Sequence, residues 1–393
     1  MFARIASIIA VAVVALLVWQ WPFTVNLAHK LMASSSTGNQ PDATSAQPWL
    51  DLVSGEQRAL PGVDEATYEA RFASAVAYAE DMRSYSLLIW QGGRLLVEKY
   101  MNGATAQTRA ESASMHKSVM AMVVGHALAD GSLRSLDDPV GRYLEEWADD
   151  ERGTITLRQL LQMSSGLATT SREGGWLSEA SRFELGLFPE RVLLSRSLRK
   201  PPGTDFEYLN VNSNLMGLVL SRTLDQRYSE YLSEKIWAPL GAADAYVTAH
   251  RPQGFIKTAS SLLATSRDWL RLGIMLANEG MIDGRRVLPE GWVAEMIAPS
   301  PLNPNYGLQI WLGRPHAPQR YYYGAGVGPA VPAVEPLLAQ DMFFFDGWGG
   351  QRVYVSPAAD LVIVRTGPAR TDWDDSILPN RVVETLRDDH GTF

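Results

Sequence analysis

The chain contains no cysteine, which excludes disulfide bonds, cysteine-ligated zinc, iron–sulfur clusters and a thiol nucleophile. Positive charge is also scarce: 35 Lys and Arg stand against 43 Asp and Glu, so a basic nucleic-acid-binding face is not expected. The 393 residues are 46% hydrophobic and 20% charged, which is typical of a globular protein with one large or two smaller domains. Because cysteine is absent, any nucleophile must be Ser, Thr, Lys or a carboxylate.

One long apolar run lies near the N-terminus, over residues 5–23. As a helix rising ~1.5 Å per residue, it would just cross a hydrocarbon core of ~30 Å. Arg4 precedes the run and no clear small-residue cleavage site follows it, so an uncleaved anchor is favoured over a cleaved signal peptide. These features predict a cytoplasmic tail over residues 1–4, a single-pass inner-membrane anchor over 5–23 and a periplasmic body.

The segment 24–48 is predicted to be a flexible linker, because its stretch SSSTGNQPDATSAQ has almost no apolar surface to bury. The folded body then occupies residues 49–393. Alternating aliphatic runs joined by very short Gly- or Pro-containing connections predict antiparallel strands. These strands are expected at residues 84–91, 94–101, 342–345, 351–356 and 361–365.

Amphipathic patterns with helix-capping residues fill most of the chain between the two groups of strands. They predict helices at residues 117–129, 156–163, 214–225 and 266–279, and a long irregular loop over 314–336. This order indicates an α/β protein of the α+β type. An antiparallel sheet of about five strands would be built from both ends of the body and flanked by helices. An all-helical region at about 131–254 would be inserted in it.

Two of the six lysines follow a serine by three residues, in the pairs Ser114/Lys117 and Ser197/Lys200. Residues three apart share a helix face, and Ser114 opens a predicted helix, so its hydroxyl and the Lys117 amine can converge there. Burial and the helix dipole would both lower the pKa of such a lysine and allow it to act as a base. The second pair runs into two prolines and is interpreted as chance. His116 lies off the Ser114 face and is predicted to be a helix-surface residue.

A second pair of polar residues, Tyr208 and Asn210, follows about a hundred residues later. With Ser114 and Lys117 it resembles the penicillin-recognising serine hydrolases over residues 80–366. The resemblance is greatest to the branch of class C β-lactamases, serine esterases, D-amino-acid peptidases and 6-aminohexanoate-oligomer hydrolases. It implies a β-lactamase/transpeptidase-like fold, with Ser114 as the nucleophile and Lys117 as the base, either alone or as one half of a pair with Tyr208. Tyr208 would relay a proton, and Asn210 would orient Lys117 or the acyl carbonyl of the substrate.

The family has a third motif besides the Ser-x-x-Lys and Tyr-x-Asn motifs, a Lys- or His-containing triplet on a strand. This triplet is missing from residues 342–351. This stretch instead resembles the Trp-Gly-Gly variant of esterase and amidase relatives. Glycines allow a backbone to approach a substrate and aim N–H groups at a developing oxyanion. The oxyanion hole is therefore assigned to the amides of Ser114 and of Trp348 or a neighbour such as Gly349. In β-lactamases the Lys or His of this triplet helps to hold the carboxylate of the substrate, so its absence argues against a β-lactamase. Arg352 lies nearby in the sequence but does not occupy the triplet position.

The sequence as a whole predicts a membrane-anchored serine hydrolase that cleaves an ester or amide through an acyl-enzyme on Ser114. It would need neither metal nor cofactor, and its expected partners are a small ester, amide or peptide-like substrate and the membrane, with no nucleic acid. The alternatives are a non-catalytic anchored binding module of the same fold, and a true β-lactamase or DD-peptidase. The residues expected to shape an apolar pocket are aromatic: Trp176, Trp311, Trp348, Tyr306 and Tyr321 to Tyr323.

Overall fold

Short strands and helices alternate along the residues that the structure, a computed structural model, describes: 21–35, 41–60, 69–171, 173, 175, 178–322 and 328–390. The strands are β1 (Leu50–Val53), β2 (Ser86–Gln91), β3 (Arg94–Tyr100), β4 (Arg109–Ala110), β5 (Ala245–Thr248), β6 (Leu262–Thr265), β7 (Met281–Ile282), β8 (Arg285–Arg286), β9 (Trp311–Leu312), β10 (Gln319–Tyr321), β11 (Ala330–Pro332), β12 (Phe343–Gly347), β13 (Gln351–Ser356) and β14 (Leu361–Thr366). The α-helices are α1 (Trp21–Ser35), α2 (Ala73–Asp81), α3 (His116–Ala129), α4 (Leu157–Leu161), α5 (Glu179–Glu184), α6 (Pro189–Leu194), α7 (Asn210–Thr223), α8 (Tyr228–Leu232), α9 (Ala238–Leu240), α10 (Ser266–Ala277), α11 (Trp292–Met296) and α12 (Ile377–His390).

The main sheet joins strands from both ends of the body in the order β3–β2–β14–β13–β12–β9, with every neighbouring pair antiparallel. The prediction of an antiparallel α/β sheet flanked by helices is therefore confirmed. The tight turn at Gly92 and Gly93 and the hairpin at Gly349 and Gly350 have positive φ at all four glycines, as such turns require. The sheet has six strands because the two-residue strand β9 adds to its edge. A separate four-stranded sheet has the order β1–β5–β6–β4.

Both faces of the main sheet are buried, and successive residues of a strand point to opposite faces. On β14, Leu361 and Ile363 belong to one apolar cluster, with residues of α2 and α12. Val362 and Val364 belong to the other cluster, with residues of α3 and α10. The sheet therefore lies between two helical layers, and the larger layer contains the helices that carry the candidate site.

The N-terminal anchor and the inner-membrane localisation predicted from it are wrong. No helix in the described part of the chain combines the length and the apolar character needed to cross a bilayer. Residues 5–20 of the predicted span lie outside the described residues, and α1 begins at Trp21 and has 15 residues. Its Trp21 ring contacts the Trp49 ring at 4.9 Å, and Asn26 Nδ2 donates to the carbonyls of Leu185 and His250, both at 2.9 Å.

These contacts place α1 against the body, where residues 24–48 were expected to form a linker. Part of that segment, residues 36–40, lies outside the described residues, and a 3₁₀ turn occupies Thr44–Ala46. The predicted irregular loop over 314–336 also contains regular structure, because β10 and β11 pair within it. Predicted helix bounds are closest for α3, which begins one residue earlier than predicted, and shift by four residues at the start of α7.

Candidate active site

Ser114 lies in a single 3₁₀ turn, Ala113–Met115, immediately before α3. Ala113 has φ of +47°, a conformation that costs a non-glycine residue free energy and that needs support from its surroundings. Part of that support comes from the end of β12, because a Cβ at Gly347 would lie 2.4 Å from the Ser112 carbonyl oxygen. The glycine thus lets a strand of the main sheet press against the turn that presents Ser114.

Lys117 lies one turn into the helical segment and is only 1% exposed. Its Nζ lies 2.9 Å from Ser114 Oγ, 2.8 Å from Asn210 Oδ1 and 2.6 Å from the Ala259 carbonyl oxygen. The structure therefore brings together Ser114, Lys117 and Asn210 as predicted, and it directs Asn210 to Lys117. The Ala259 carbonyl has no sequence signature, because any residue supplies a backbone oxygen.

Burial lowers the pKa of Lys117 from 10.5 to about 7. Desolvation penalises the charged ammonium, and the nearby Asp346 carboxylate opposes this shift without cancelling it. About half of the Lys117 amines are therefore neutral near pH 7. A neutral amine can accept the proton of a hydroxyl, which an ammonium cannot do.

Tyr208 approaches the same hydroxyl from the loop that precedes α7, and both residues line one cleft. The Tyr208 backbone N–H donates to the Tyr322 carbonyl at 2.6 Å, which fixes the loop, and its ring centroid lies 5.0 Å from Lys117 Nζ. Burial, and then the charge of Asp346, raise the pKa of Tyr208 well above 10. The phenol therefore remains protonated at any pH at which the protein works.

The prediction for His116 is wrong, since this residue is fully buried. Its Nδ1 lies 2.9 Å from the Ser260 carbonyl oxygen, and its Nε2 lies 3.0 Å from the Tyr228 hydroxyl. Burial lowers its pKa to about 4, so the ring is neutral at ordinary pH. His116 therefore helps to hold the segment that presents the Ala259 carbonyl to Lys117.

A buried cluster of two acids and two arginines lies behind the site and was not predicted. Asp346 lies 2.8 Å from Arg352 and 3.0 Å from Arg320, and Asp375 lies 2.7 Å from each arginine. Asp346 also accepts a hydrogen bond from the Tyr322 hydroxyl at 3.0 Å. One signal was available in the sequence, because Asp346 is the only charge in the run FFFDG. The cluster also uses Arg352, which is 1% exposed and cannot replace the missing substrate-binding cation.

A cleft of about 610 Å³ opens at Ser114. Its described lining includes the side chains expected around a reacting carbonyl and several apolar or hydroxylic ones: Ser114, Thr169, Thr170, Phe183, Glu184, Leu193, Tyr208, Asn210, Tyr322 and Trp348. Glu184 is the one charged residue in this described lining, and it lies 3.1 Å from Lys257. The cleft therefore offers no free cation to a substrate carboxylate among the described residues.

Two of the residues proposed for the oxyanion hole occupy different surroundings. Trp348 is 47% exposed and lines the cleft. Gly349 does not line it: a Cβ there would lie 2.3 Å from Ala369, and its carbonyl accepts hydrogen bonds from Arg365 and the Arg370 backbone. Gly349 is thus packed into the hairpin, and Trp348 is the better placed of the two.

The aromatic residues expected to shape the pocket separate into three groups. Trp348 and Tyr322 line the cleft, whereas Trp311 and Tyr321 line a second cavity. Tyr306 is buried between them, with its ring centroid 5.9 Å from that of Tyr208. Trp176 and Tyr323 lie outside the described residues.

The second Ser-x-x-Lys pair does not form a comparable site. Ser197 is exposed, and Lys200 is 37% exposed and lies 3.2 Å from Asp205 and 3.5 Å from Glu207. These acids raise the pKa of Lys200. Its amine is therefore the charged partner of an ion pair, in contrast to Lys117.

Comparisons with known proteins show the family and the fold to which this chain is similar. The family model described as Beta-lactamase matches residues 69–367. A 6-aminohexanoate-dimer hydrolase from Paenarthrobacter ureafaciens is 26% identical over 284 residues, which cover 68% of each protein. A solved structure from Bacillus anthracis, provisionally described as a 6-aminohexanoate-dimer hydrolase, has a TM-score of 0.68 at 18% identity, covering 88% of this chain and 92% of that one. A D-stereospecific amidohydrolase from Streptomyces has a TM-score of 0.54 at 20% identity, with coverage of 84% and 100%.

Proposed function

This chain belongs to the Beta-lactamase family and is a serine hydrolase, and we propose that it cleaves small neutral esters or amides through an acyl-enzyme on Ser114. The observation that carries the proposal is the position of Lys117 Nζ, buried and 2.9 Å from Ser114 Oγ. Because burial lowers its pKa to about 7, this amine can remove the hydroxyl proton at neutral pH.

The three contacts of Lys117 fit a neutral amine. Asn210 Oδ1 and the Ala259 carbonyl can only accept hydrogen bonds, so they take the two N–H groups of the neutral amine. The remaining lone pair then faces Ser114 Oγ, whose hydroxyl is able to donate. The contacts thus aim the basic electron pair of Lys117 at the nucleophile.

Acylation begins when Lys117 takes the proton from Ser114 Oγ and the oxygen attacks the substrate carbonyl. The backbone N–H groups of Ser114 and Trp348 would stabilise the oxyanion of the tetrahedral intermediate. Tyr208 lies beside Ser114 and stays protonated, so it can pass a proton to the leaving group while it recovers one through Lys117. Water then releases the acyl group by the same steps in reverse order.

The charges of the cleft favour a neutral substrate. Arg352 is buried between two carboxylates, and the described lining supplies Glu184 as its charged residue. A carboxylate on the acyl group would have to give up water without gaining a cation from the described lining, which costs binding free energy. The names of the relatives, 6-aminohexanoate-dimer hydrolase and D-stereospecific amidohydrolase, support amides as substrates alongside esters.

The test is fluorophosphonate labelling together with turnover of p-nitrophenyl butyrate, p-nitrophenyl hemisuccinate and nitrocefin. We expect labelling, turnover of the neutral butyrate ester at least about tenfold faster than that of the anionic hemisuccinate, and no turnover of nitrocefin. Ser114→Ala should lose both labelling and turnover. The matched control is Ser197→Ala, which removes a serine from the other Ser-x-x-Lys pair and should behave like the wild type.

Equal labelling of wild type and Ser114→Ala would refute the acyl-enzyme on this residue. Equal turnover of the butyrate and hemisuccinate esters would instead leave Ser114 in place and refute the preference for neutral substrates. Turnover of nitrocefin at the rate of the butyrate ester would point to a β-lactamase.

A further inference from the structure

A second cavity of about 420 Å³ lies on the other side of the aromatic residues that support Tyr208. It shares no described lining residue with the catalytic cleft, and we call it the side cavity. Most of its wall is apolar and comes from the edge of the main sheet and the loops beside it: Phe206, Leu302, Trp311, Leu312, Leu337 and Phe344. A concave apolar space of this size is suited to a small molecule.

Two hydrogen-bond donors at the wall of the side cavity have no partner among the described residues. Arg320 and Trp311 both line it and are 8% and 2% exposed, yet Arg320 Nη1 and Trp311 Nε1 donate to no protein neighbour. The guanidinium lies over the Trp311 ring at 4.3 Å, so the two donors belong to one stack. Buried donors in native proteins almost always have a partner, so these two donors are available to an acceptor that enters the side cavity.

The charges around the stack decide which acceptor fits. The other nitrogens of Arg320 already pair with Asp346 and Asp375, and Arg352 balances the second of these carboxylates. This cluster therefore has no excess positive charge for an anion. Asp205, which is paired with Lys200, and Glu335 also line the side cavity, and Glu335 would repel a carboxylate.

We propose that the side cavity is a second ligand site, which binds a small neutral molecule whose apolar body fills the cavity and whose carbonyl oxygen accepts from Arg320 Nη1 and Trp311 Nε1. A carbonyl oxygen has two lone pairs and can accept from both donors. The ligand would be separated from Tyr208 by rings, since Trp311 and Phe206 lie between the side cavity and the catalytic loop. The site does not depend on the role proposed for Ser114.

The experiment measures binding of 4-fluoro-N,N-dimethylbenzamide by ¹⁹F NMR, in a Ser114→Ala background that prevents turnover. Trp311→Phe removes the indole donor and keeps an aromatic ring. Because the lost N–H had no protein partner, the variant should fold. Its matched control is Tyr306→Phe, which removes a partnerless hydroxyl from a neighbouring ring that does not line the side cavity. Ala317→Trp fills the side cavity, and Ala77→Trp places the same side chain on the exposed face of α2.

We expect saturable binding that is at least fivefold weaker in Trp311→Phe, absent in Ala317→Trp and unchanged in Tyr306→Phe and Ala77→Trp. The carboxylate analogue 4-fluorobenzoate should bind more weakly than the amide. The proposal fails if the unsubstituted side cavity shows no saturable binding, if Trp311→Phe binds as tightly as its parent, or if the carboxylate binds better. Thermal unfolding checks each variant, and if Ala317→Trp does not fold, the comparison of Trp311→Phe with Tyr306→Phe decides.

Discussion

The rate of Ser114 acylation should depend on pH through the ionisation of Lys117. Burial lowers the pKa of this amine from 10.5 to about 7. At pH 7 about half of the amine is then neutral, against roughly 0.03% for a lysine of ordinary pKa, which is about a thousand times more usable base. On the acid side, each unit of pH below about 6 removes a factor of ten from the neutral fraction, and the acylation rate should fall with it.

Of the titratable groups around this apparatus, His116 and Tyr208 do not ionise in the same range, whereas Glu111, which accepts from the Ala113 N–H at 3.0 Å, has a pKa that burial raises. The pKa of His116 is about 4 and that of Tyr208 lies well above 10. Between roughly pH 5 and 9 the rate should therefore rise along a single limb and reach a plateau above about pH 8. A second limb in this range would require a group that the proposed mechanism does not contain.

The assay is the burst of p-nitrophenol from p-nitrophenyl butyrate in a stopped-flow instrument, read at the isosbestic wavelength of nitrophenol. Ser114→Ala supplies the background at each pH, and circular dichroism verifies that the protein stays folded over the range. A burst rate that does not change between roughly pH 5 and 8 would refute the reasoning. So would a rate that rises only toward the ordinary lysine pKa, because Lys117 would then be charged when it is needed.

Three further variants test the supports of the site. Tyr208→Phe should slow acylation by ~10²–10⁴ and keep the rise near pH 7, because the lost relay leaves Lys117 in place; an unchanged burst rate would count against the relay. Gly347→Ala puts a Cβ 2.4 Å from the Ser112 carbonyl and should slow fluorophosphonate labelling, whereas labelling at the wild-type rate would show that the strand does not support the turn. Arg352→Met leaves two buried carboxylates with one arginine and should lower the free energy of unfolding by about 3–5 kcal/mol in urea, with a loss below about 1 kcal/mol contradicting this.

The main sheet could be predicted from sequence because its strands carry two independent signals. Alternating residues such as Val362 and Ile363 face opposite clusters, and glycine turns such as Gly92-Gly93 set the ends of the hairpins. The strand β9 has neither signal, since it is two residues long and its pairing with β12 is fixed by tertiary packing.

The N-terminal prediction failed because an apolar run alone does not specify its surroundings. Trp21, which lies within the predicted anchor, instead packs on Trp49. Asn26 inserts between two backbone carbonyls of the body, and nothing in the local sequence names those distant acceptors. Helix α1 is therefore explained by tertiary contacts that a hydropathy pattern does not contain.

Some residues of the candidate site could likewise be predicted from the sequence, and others could not. Ser114 and Lys117 could be paired because three-residue spacing places them on one helix face. The role of Asn210 was implied by the resemblance to the penicillin-recognising serine hydrolases. The Ala259 carbonyl could not be predicted, since a backbone oxygen carries no side-chain signal. The ion-paired Asp346 was recognisable as a lone charge in an apolar strand, but its arginine partners come from distant segments.

The central claim is that Lys117 is a neutral amine at working pH, and an NMR titration of the lysines measures this most directly. The chain has only six lysines, so ¹³Cε-labelled lysine gives few signals, and Lys117→Arg assigns the one in question. We expect one signal, absent from Lys117→Arg, to titrate near pH 7, as burial of the amine requires. If all six signals titrate near or above the ordinary lysine pKa, Lys117 is charged in the folded protein and cannot be the base that activates Ser114.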